Sequence, residues 1–340
     1  LIFTLSACNS TNILPTPRPP LPTYAPLRPT LRYWEMGVTL TYPLGWETFL
    51  GVGQLMIVPD ALTTRQNPPT EPILSFQVAT LDALRLDKTA TLEQIARRVS
   101  NFTPDTKVSS SQLTKFAGLD SLQLVVSEEK IGLVQQVIAF RLPDGRIGWM
   151  VALAPADQWA NFRATVEQIQ DSAALIRPTD YKIGTGQNSV RFANDEVIFT
   201  FPNDWTASSL TEDLQSWRYQ PRTDQAYHDQ SGFANGVQLV ASVFPRPKDQ
   251  SLLDALSKTI AATIPANLTA ITMGTTSFPA ARYTRFDSIA NQQTIFIAFA
   301  LPSKPDSMVI LRWTVVGSLT EVTKPLLDDI LQKVAIRQSR

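Results

Sequence analysis

Val38-Thr-Leu-Thr-Tyr-Pro-Leu-Gly-Trp46 returns 159 residues later as Val197-Ile-Phe-Thr-Phe-Pro-Asn-Asp-Trp205. Valine, threonine, proline and tryptophan keep their places, and an aromatic precedes each proline. Ile138-Ala-Phe-Arg-Leu-Pro143 and Ile297-Ala-Phe-Ala-Leu-Pro302 agree at five of six positions with the same 159-residue shift. Two matches in one register point to duplication, and a period near 160 residues is a whole domain rather than a solenoid unit. The chain therefore reads as one domain written twice.

Working outward from the first phrase, alternation at 36–42 predicts a half-buried strand stopped by Pro43 and Gly45. Short strands follow at 55–58 and 73–79, on either side of a polar loop with proline. Thr91-Leu-Glu-Gln94 is a capping box, and Leu92, Ile95, Ala96 and Val99 share one helical face. Three strands come next, at 119–127, 133–142 and 146–154, the last two joined by the turn Pro143-Asp144-Gly145. Trp159, Phe162, Val166, Ile169 and Ala173 recur at helical spacing and close the unit.

The second phrase opens the same plan. A strand over 236–244 precedes Ser251-Leu-Leu-Asp254, a capping motif 160 residues after its counterpart. Leu252, Leu256 and Ile260 line the face of that helix. A return strand over 308–316 leads to a final helix, which Ser318 is expected to cap, with Leu326, Leu327, Ile330, Leu331 and Val334 inward. Hairpins feeding helices, without strand–helix alternation, predict an α+β fold: two tandem domains, each with a central antiparallel sheet.

Ahead of the repeat stands Leu5-Ser6-Ala7-Cys8, which ends an apolar run and holds the only cysteine. It resembles the lipobox of bacterial lipoproteins, in which a signal peptide is cut before a cysteine whose thiol carries a diacylglyceryl group. That resemblance makes Cys8 the lipidation site, and the acyl chains anchor the protein on the extracytoplasmic side of a cell membrane. With no Met and no basic segment before it, the stretch 1–7 reads as the remnant of a signal peptide. Residues 9–32 carry Pro15, Pro17, Pro19, Pro20, Pro22, Pro26 and Pro29. That spacing predicts an extended stalk of about 3.1 Å per residue. The expected order is remnant 1–7, lipid-anchored stalk 8–32, first domain 33–177, linker 178–187 and second domain 188–340.

The opening strand ending in Tyr42-Pro-Leu-Gly-Trp46, the mid-domain helix, the run of three strands and the C-terminal helix resemble the PsbP-like family. The second copy departs at Asn203-Asp204, where the first has Leu44-Gly45. The resemblance implies that each of the two tandem PsbP-like domains is a central antiparallel sheet with helices packed on its faces, and that the protein is non-catalytic and binds or stabilises partners; it carries no catalytic residues over.

Composition agrees with a binding role. The 340 residues contain 30 basic and 30 acidic side chains, so no net field draws in nucleic acid. One cysteine and one histidine leave no set for a structural zinc site or a Cys/His nucleophile pair, so neither metal nor cofactor is expected. Phosphate loops, G-x-S-x-G and H-E-x-x-H are absent. Ser127-Glu-Glu-Lys130 satisfies S-x-x-K, but it ends a strand instead of opening a helix. Trp46 and Trp205, repeated with the fold, read as core plugs. Trp217, Tyr219, Tyr227 and His228 flank a loop of the second copy with no first-copy counterparts, and form the candidate recognition surface. Two functions stay open: binding a protein partner, or binding a small molecule or lipid in the groove between the copies.

Overall fold

The computed structural model describes residues 27–51, 53–60, 63, 68–100, 106–211, 215–221, 235–247, 249–260, 267–288 and 291–337. Cys8, the stalk as far as residue 26, Tyr227 and His228 lie outside the described residues.

The first seven-stranded sheet is built from β3 (Glu47–Gly51), β4 (Gln54–Val58), β5 (Ile73–Ala79), β6 (Thr106–Phe116), β7 (Leu119–Glu128), β8 (Leu133–Arg141) and β9 (Ile147–Pro155), in the order β3-β4-β5-β9-β8-β7-β6. The second uses β13 (Trp205–Ser209), β14 (Ser216–Pro221), β15 (Val237–Pro245), β16 (Thr269–Met273), β17 (Phe278–Asp287), β18 (Gln292–Leu301) and β19 (Lys304–Val316). Its order, β13-β14-β15-β19-β18-β17-β16, is the same permutation. Every neighbouring pair is antiparallel. Each copy also has a three-stranded sheet: β1 (Leu27–Tyr33), β2 (Val38–Pro43) and β10 (Ala174–Leu175) in the first, β11 (Gln187–Phe192), β12 (Val197–Pro202) and β20 (Ala335–Ile336) in the second. The repeated phrase forms the central strand of these small sheets, and β2 and β12 share one burial pattern. One α+β plan is thus built twice.

The apolar run Val137-Ile-Ala-Phe140 is buried on both sides because both faces of the large sheet are covered. Val137 and Ala139 meet α1 (Leu92–Val99), while Ile138 and Phe140 face the small sheet and α2 (Trp159–Ser172). In the second copy Ile297 and Phe299 face the small sheet and α4 (Thr320–Lys333), and Ala298 meets α3 (Leu252–Ile260). The Thr91 capping box is formed, with Thr91 Oγ1 accepting from Gln94 N at 3.2 Å and Gln94 Oε1 accepting from Thr91 N at 2.7 Å. Trp205 is buried and stacks on Phe201, and half-buried Trp46 stacks on Phe162.

Several expectations need correction. Residues 27–32 are not stalk but belong to β1, paired with β2; β1 is an edge strand and its register slips between Leu27 and Thr30, the two conditions under which Pro29 is tolerated. The segment 178–187 is not a free linker, because Tyr181 is buried in the second core and Gln187 opens β11. Ser318 does not cap α4: a 3-10 turn, Gly317–Leu319, precedes the helix, and the Ser318 hydroxyl donates to Trp34 O at 3.3 Å.

Gly274, after β16, has φ +76°, and a Cβ there would sit 2.5 Å from Val334 O. Its own N–H donates to Leu331 O at 2.8 Å, so the turn is tied to the end of α4. Gly274→Ala is expected to destabilise the chain by roughly 2–4 kcal/mol, combining left-handed strain with a backbone clash. A urea midpoint unchanged from wild type would refute that.

The two copies meet through the turn between β1 and β2. Trp34 is 3% exposed, yet it belongs to the core of the second copy, where its ring meets Tyr181 edge-on at 5.2 Å. Asn235 clasps this turn, its Oδ1 accepting from Trp34 N at 3.2 Å and its Nδ2 donating to Arg32 O at 2.6 Å.

Candidate functional site

A cleft of about 660 Å3 opens in the second copy, lined entirely by residues between 191 and 337. It is therefore a feature of one domain, not of the groove between the two. One wall is the turn 193–196 that joins β11 to β12, another is Trp217 on β14 with Val243 on β15, and the third is the hairpin from β18 to β19.

The turn holds Ala193, Asn194 and Asp195 at φ 52°, 56° and 66°, three successive left-handed residues that are not glycine. Asn and Asp tolerate this conformation in turns, so the strain falls on Ala193, at about 1–2 kcal/mol, and persists only where the surroundings enforce it. Arg191 pairs with Asp195 at 3.3 Å. The Glu196 carboxylate accepts from Ser303 N at 2.9 Å and, through its other oxygen, from Ser303 Oγ. Arg337 N donates to Glu196 O at 2.8 Å. The turn is thus clamped to the hairpin and to the strand end after α4.

In the first copy the corresponding turn is Trp34-Glu-Met-Gly37, where the left-handed residue is a glycine, Gly37. There the clamp has opposite polarity: Arg146 reaches back from the hairpin, donating through Nη2 to Glu35 O at 2.7 Å and through Nε to Asp144 Oδ2 at 2.8 Å. Strand register pairs Ile147 with Arg141 and Met308 with Ala300, so Ser307 stands where the first copy has Arg146. A short side chain there, and Ala193 in place of Trp34, leave the cleft open in the second copy.

Of the two candidate recognition residues that are described, Trp217 lines the cleft; it is half-buried, and its strand neighbours are Ser209 and Ala241. Tyr219 is corrected to a core residue. It is 1% exposed, stacks on Phe201 at 4.6 Å, and burial pushes its phenol pKa well up. Alternation explains this, since Trp217 and Tyr219 share one face of β14 and the companion sheet covers the Tyr219 end. The residues missed from sequence are Lys304, Arg337 and the turn itself. Their one visible signal is a hairpin two residues longer than in the first copy, 301–308 against 142–147.

Ser127 is the penultimate residue of β7 and Lys130 lies in the following turn, so S-x-x-K does not open a helix. Glu129 pairs with Lys107, and Asp329 with Lys333, both at the surface. Among the described residues no three His, Cys, Asp or Glu side chains converge as a metal site, and no helix is long and apolar enough to cross a membrane.

The arrangement is two sheet-and-helix units with a shaped cleft in one. Solved structures similar to the chain include a PsbP from the cyanobacterium Synechocystis sp. PCC 6803, at 13% identity, 45% of this chain, 94% of that chain and a TM-score of 0.32. LpqN of Mycobacterium tuberculosis, described as involved in cell envelope biogenesis, is similar at 17% identity, 41% and 83% coverage and a TM-score of 0.32. The Saccharomyces cerevisiae Ran-binding protein Mog1p is similar at 12% identity, 46% and 100% coverage and a TM-score of 0.34. No protein-family model and no curated protein matches the chain.

Proposed function

We propose that the protein is a non-catalytic lipoprotein, anchored through an acylated Cys8 on the extracytoplasmic side of a bacterial membrane, and that its second domain binds a protein partner. The observation that carries this reading is the cleft: a strained turn clamped in place beside a half-buried indole, in the copy that does not use the equivalent turn for domain docking. Strain held at a concave surface is a mark of a functional site. An aromatic anchor ringed by polar groups is the anatomy of a protein interface.

The small-molecule or lipid reading draws less support. The groove between the copies, where that reading puts its ligand, is occupied by Trp34 in the described contact, and the cleft of the second copy sets Phe192, Trp217, Val243 and Leu301 among five charged side chains, more than a mostly apolar ligand pocket carries.

A photocrosslinking amino acid at position 217, in intact membranes, is expected to capture a discrete protein, and mass spectrometry of the mature N-terminus is expected to find a diacylglyceryl adduct on Cys8. An unmodified thiol would remove the anchor from this reading; crosslinks confined to lipid would remove the protein partner.

A further inference from the structure

The cleft is unevenly charged once its internal pairs are set aside. Asp195 is held by Arg191, and both oxygens of Glu196 are held by Ser303. Lys304 and Arg337 line the same cleft, are exposed, and make no side-chain ion pair or hydrogen bond among the described residues. Glu196 keeps its charge, since Ser303 is neutral, so the three cations of the lining, Arg191, Lys304 and Arg337, outnumber the two carboxylates by one, and Lys304 and Arg337 are the ones not ion-paired among the described residues.

We propose that this cleft takes an acidic, extended peptide segment, with carboxylates at Lys304 and Arg337 and an apolar side chain laid on the Trp217 indole. This rests on the protein-partner reading above and names the chemistry of that partner. Cations at a concave surface act together on an incoming anion and raise its rate of encounter. The Arg337 guanidinium offers the planar fork that a carboxylate fills, and Lys304 adds a mobile point charge. The indole supplies contact area that is apolar and rigid. Asn194, Ser303 and Ser307 on the lining give polar groups that an extended backbone can use and an apolar ligand cannot. At the corresponding turn of the first copy Arg146, the counterpart of Ser307, is held by Glu35 O and Asp144.

The test uses the full chain and three acetylated, amidated decapeptides of alternating Glu and Leu, Gln and Leu, and Lys and Leu, measured by calorimetry at low salt. The Glu/Leu peptide is expected to bind at least tenfold more tightly than Gln/Leu, to weaken as salt rises, and to weaken at least tenfold in the double variant Lys304→Glu, Arg337→Glu. Because both positions are exposed, that variant keeps its fold, and it is expected to prefer the Lys/Leu peptide. Equal binding of the Glu and Gln peptides, or an unchanged preference in the double variant, overturns the proposal. So does binding to phosphatidylglycerol vesicles that the double variant loses while no peptide binds, since the cations would then serve a lipid headgroup. If the peptides fail but position 217 still crosslinks to a protein in membranes, the partner reading stands and only its acidic chemistry falls; if the crosslinks fail too, both fall.

Discussion

Trp34→Ala is expected to separate the unfolding of the two domains and to destabilise the second by about 3–5 kcal/mol, the usual cost of emptying a buried tryptophan site. The wild-type chain should melt as one coupled transition, and the variant as two, with the second-domain midpoint lowered by roughly 10 °C. The size of the effect follows from where the indole lies. Interfaces between domains of one chain are ordinarily polar and modest, but here a side chain of the first domain sits in the core that holds Phe192, Phe199 and Leu319 of the second. Its removal leaves Tyr181 without its edge-on partner and opens a cavity beside Asn235 and Ser318. Asn235→Ala serves as the comparison. It breaks two hydrogen bonds to the same turn but leaves the indole in place, so it should cost less, about 1–3 kcal/mol, and keep the single transition. Calorimetry that gave one unshifted transition for Trp34→Ala would show that the indole does not couple the domains.

The duplication was readable because its signals are local and strong. A proline turn flanked by an aromatic and a tryptophan, a threonine–glutamine capping box and a Pro-Asp-Gly hairpin each act within a few residues, and each appears where expected. The misses have physical causes too. β6, Thr-Lys-Val-Ser-Ser-Ser-Gln-Leu-Thr-Lys-Phe over Thr106–Phe116, is an edge strand exposed along most of its length, so it lacks the apolar alternation that announces a half-buried strand. β1 hides behind prolines that only an edge position or a register slip permits. Trp34 reads as a local turn residue because its partners lie 147 to 284 positions further on. Trp217 could be singled out because no aromatic stands at the matching place in the first copy, where strand register puts Leu55 of β4. The cleft beside it could not, because it exists through a subtraction, serine for arginine at 307, that only the strand register aligns.

Stability is expected to fall as pH rises from about 5 to above 8, and Glu35→Gln is expected to abolish most of that fall. Glu35 is 3% exposed in the turn that carries Trp34. Burial pushes its carboxyl pKa up to about 8 from 4.5; the hydrogen bond from Tyr33 and the positive charge of Arg146 oppose the rise, and Asp287 of the second domain adds to it. Asp144 offsets Arg146 by pairing with its guanidinium at 2.8 Å. One carboxyl oxygen, Oε2, accepts from Tyr33 OH at 3.2 Å, while Oε1 is buried without a partner, so the neutral acid is the form this site tolerates. The sign follows from linkage. The folded chain holds this proton up to about pH 8 and the unfolded chain releases it near 4.5, so the contribution is complete below 4.5 and is lost as pH passes through 8. At about 1.36 kcal/mol per unit, the loss over that window is on the order of 5 kcal/mol. Urea titrations at pH 5, 7 and 9 would measure it, and an equal slope in wild type and Glu35→Gln would place the titrating group elsewhere. Because ionised Glu35 would share a four-residue turn with Trp34 and face Asp287 across the junction, the domain contact is the part of the fold expected to loosen first. Fluorescence of a probe pair spanning the two domains should therefore change at a lower pH than the unfolding of either core.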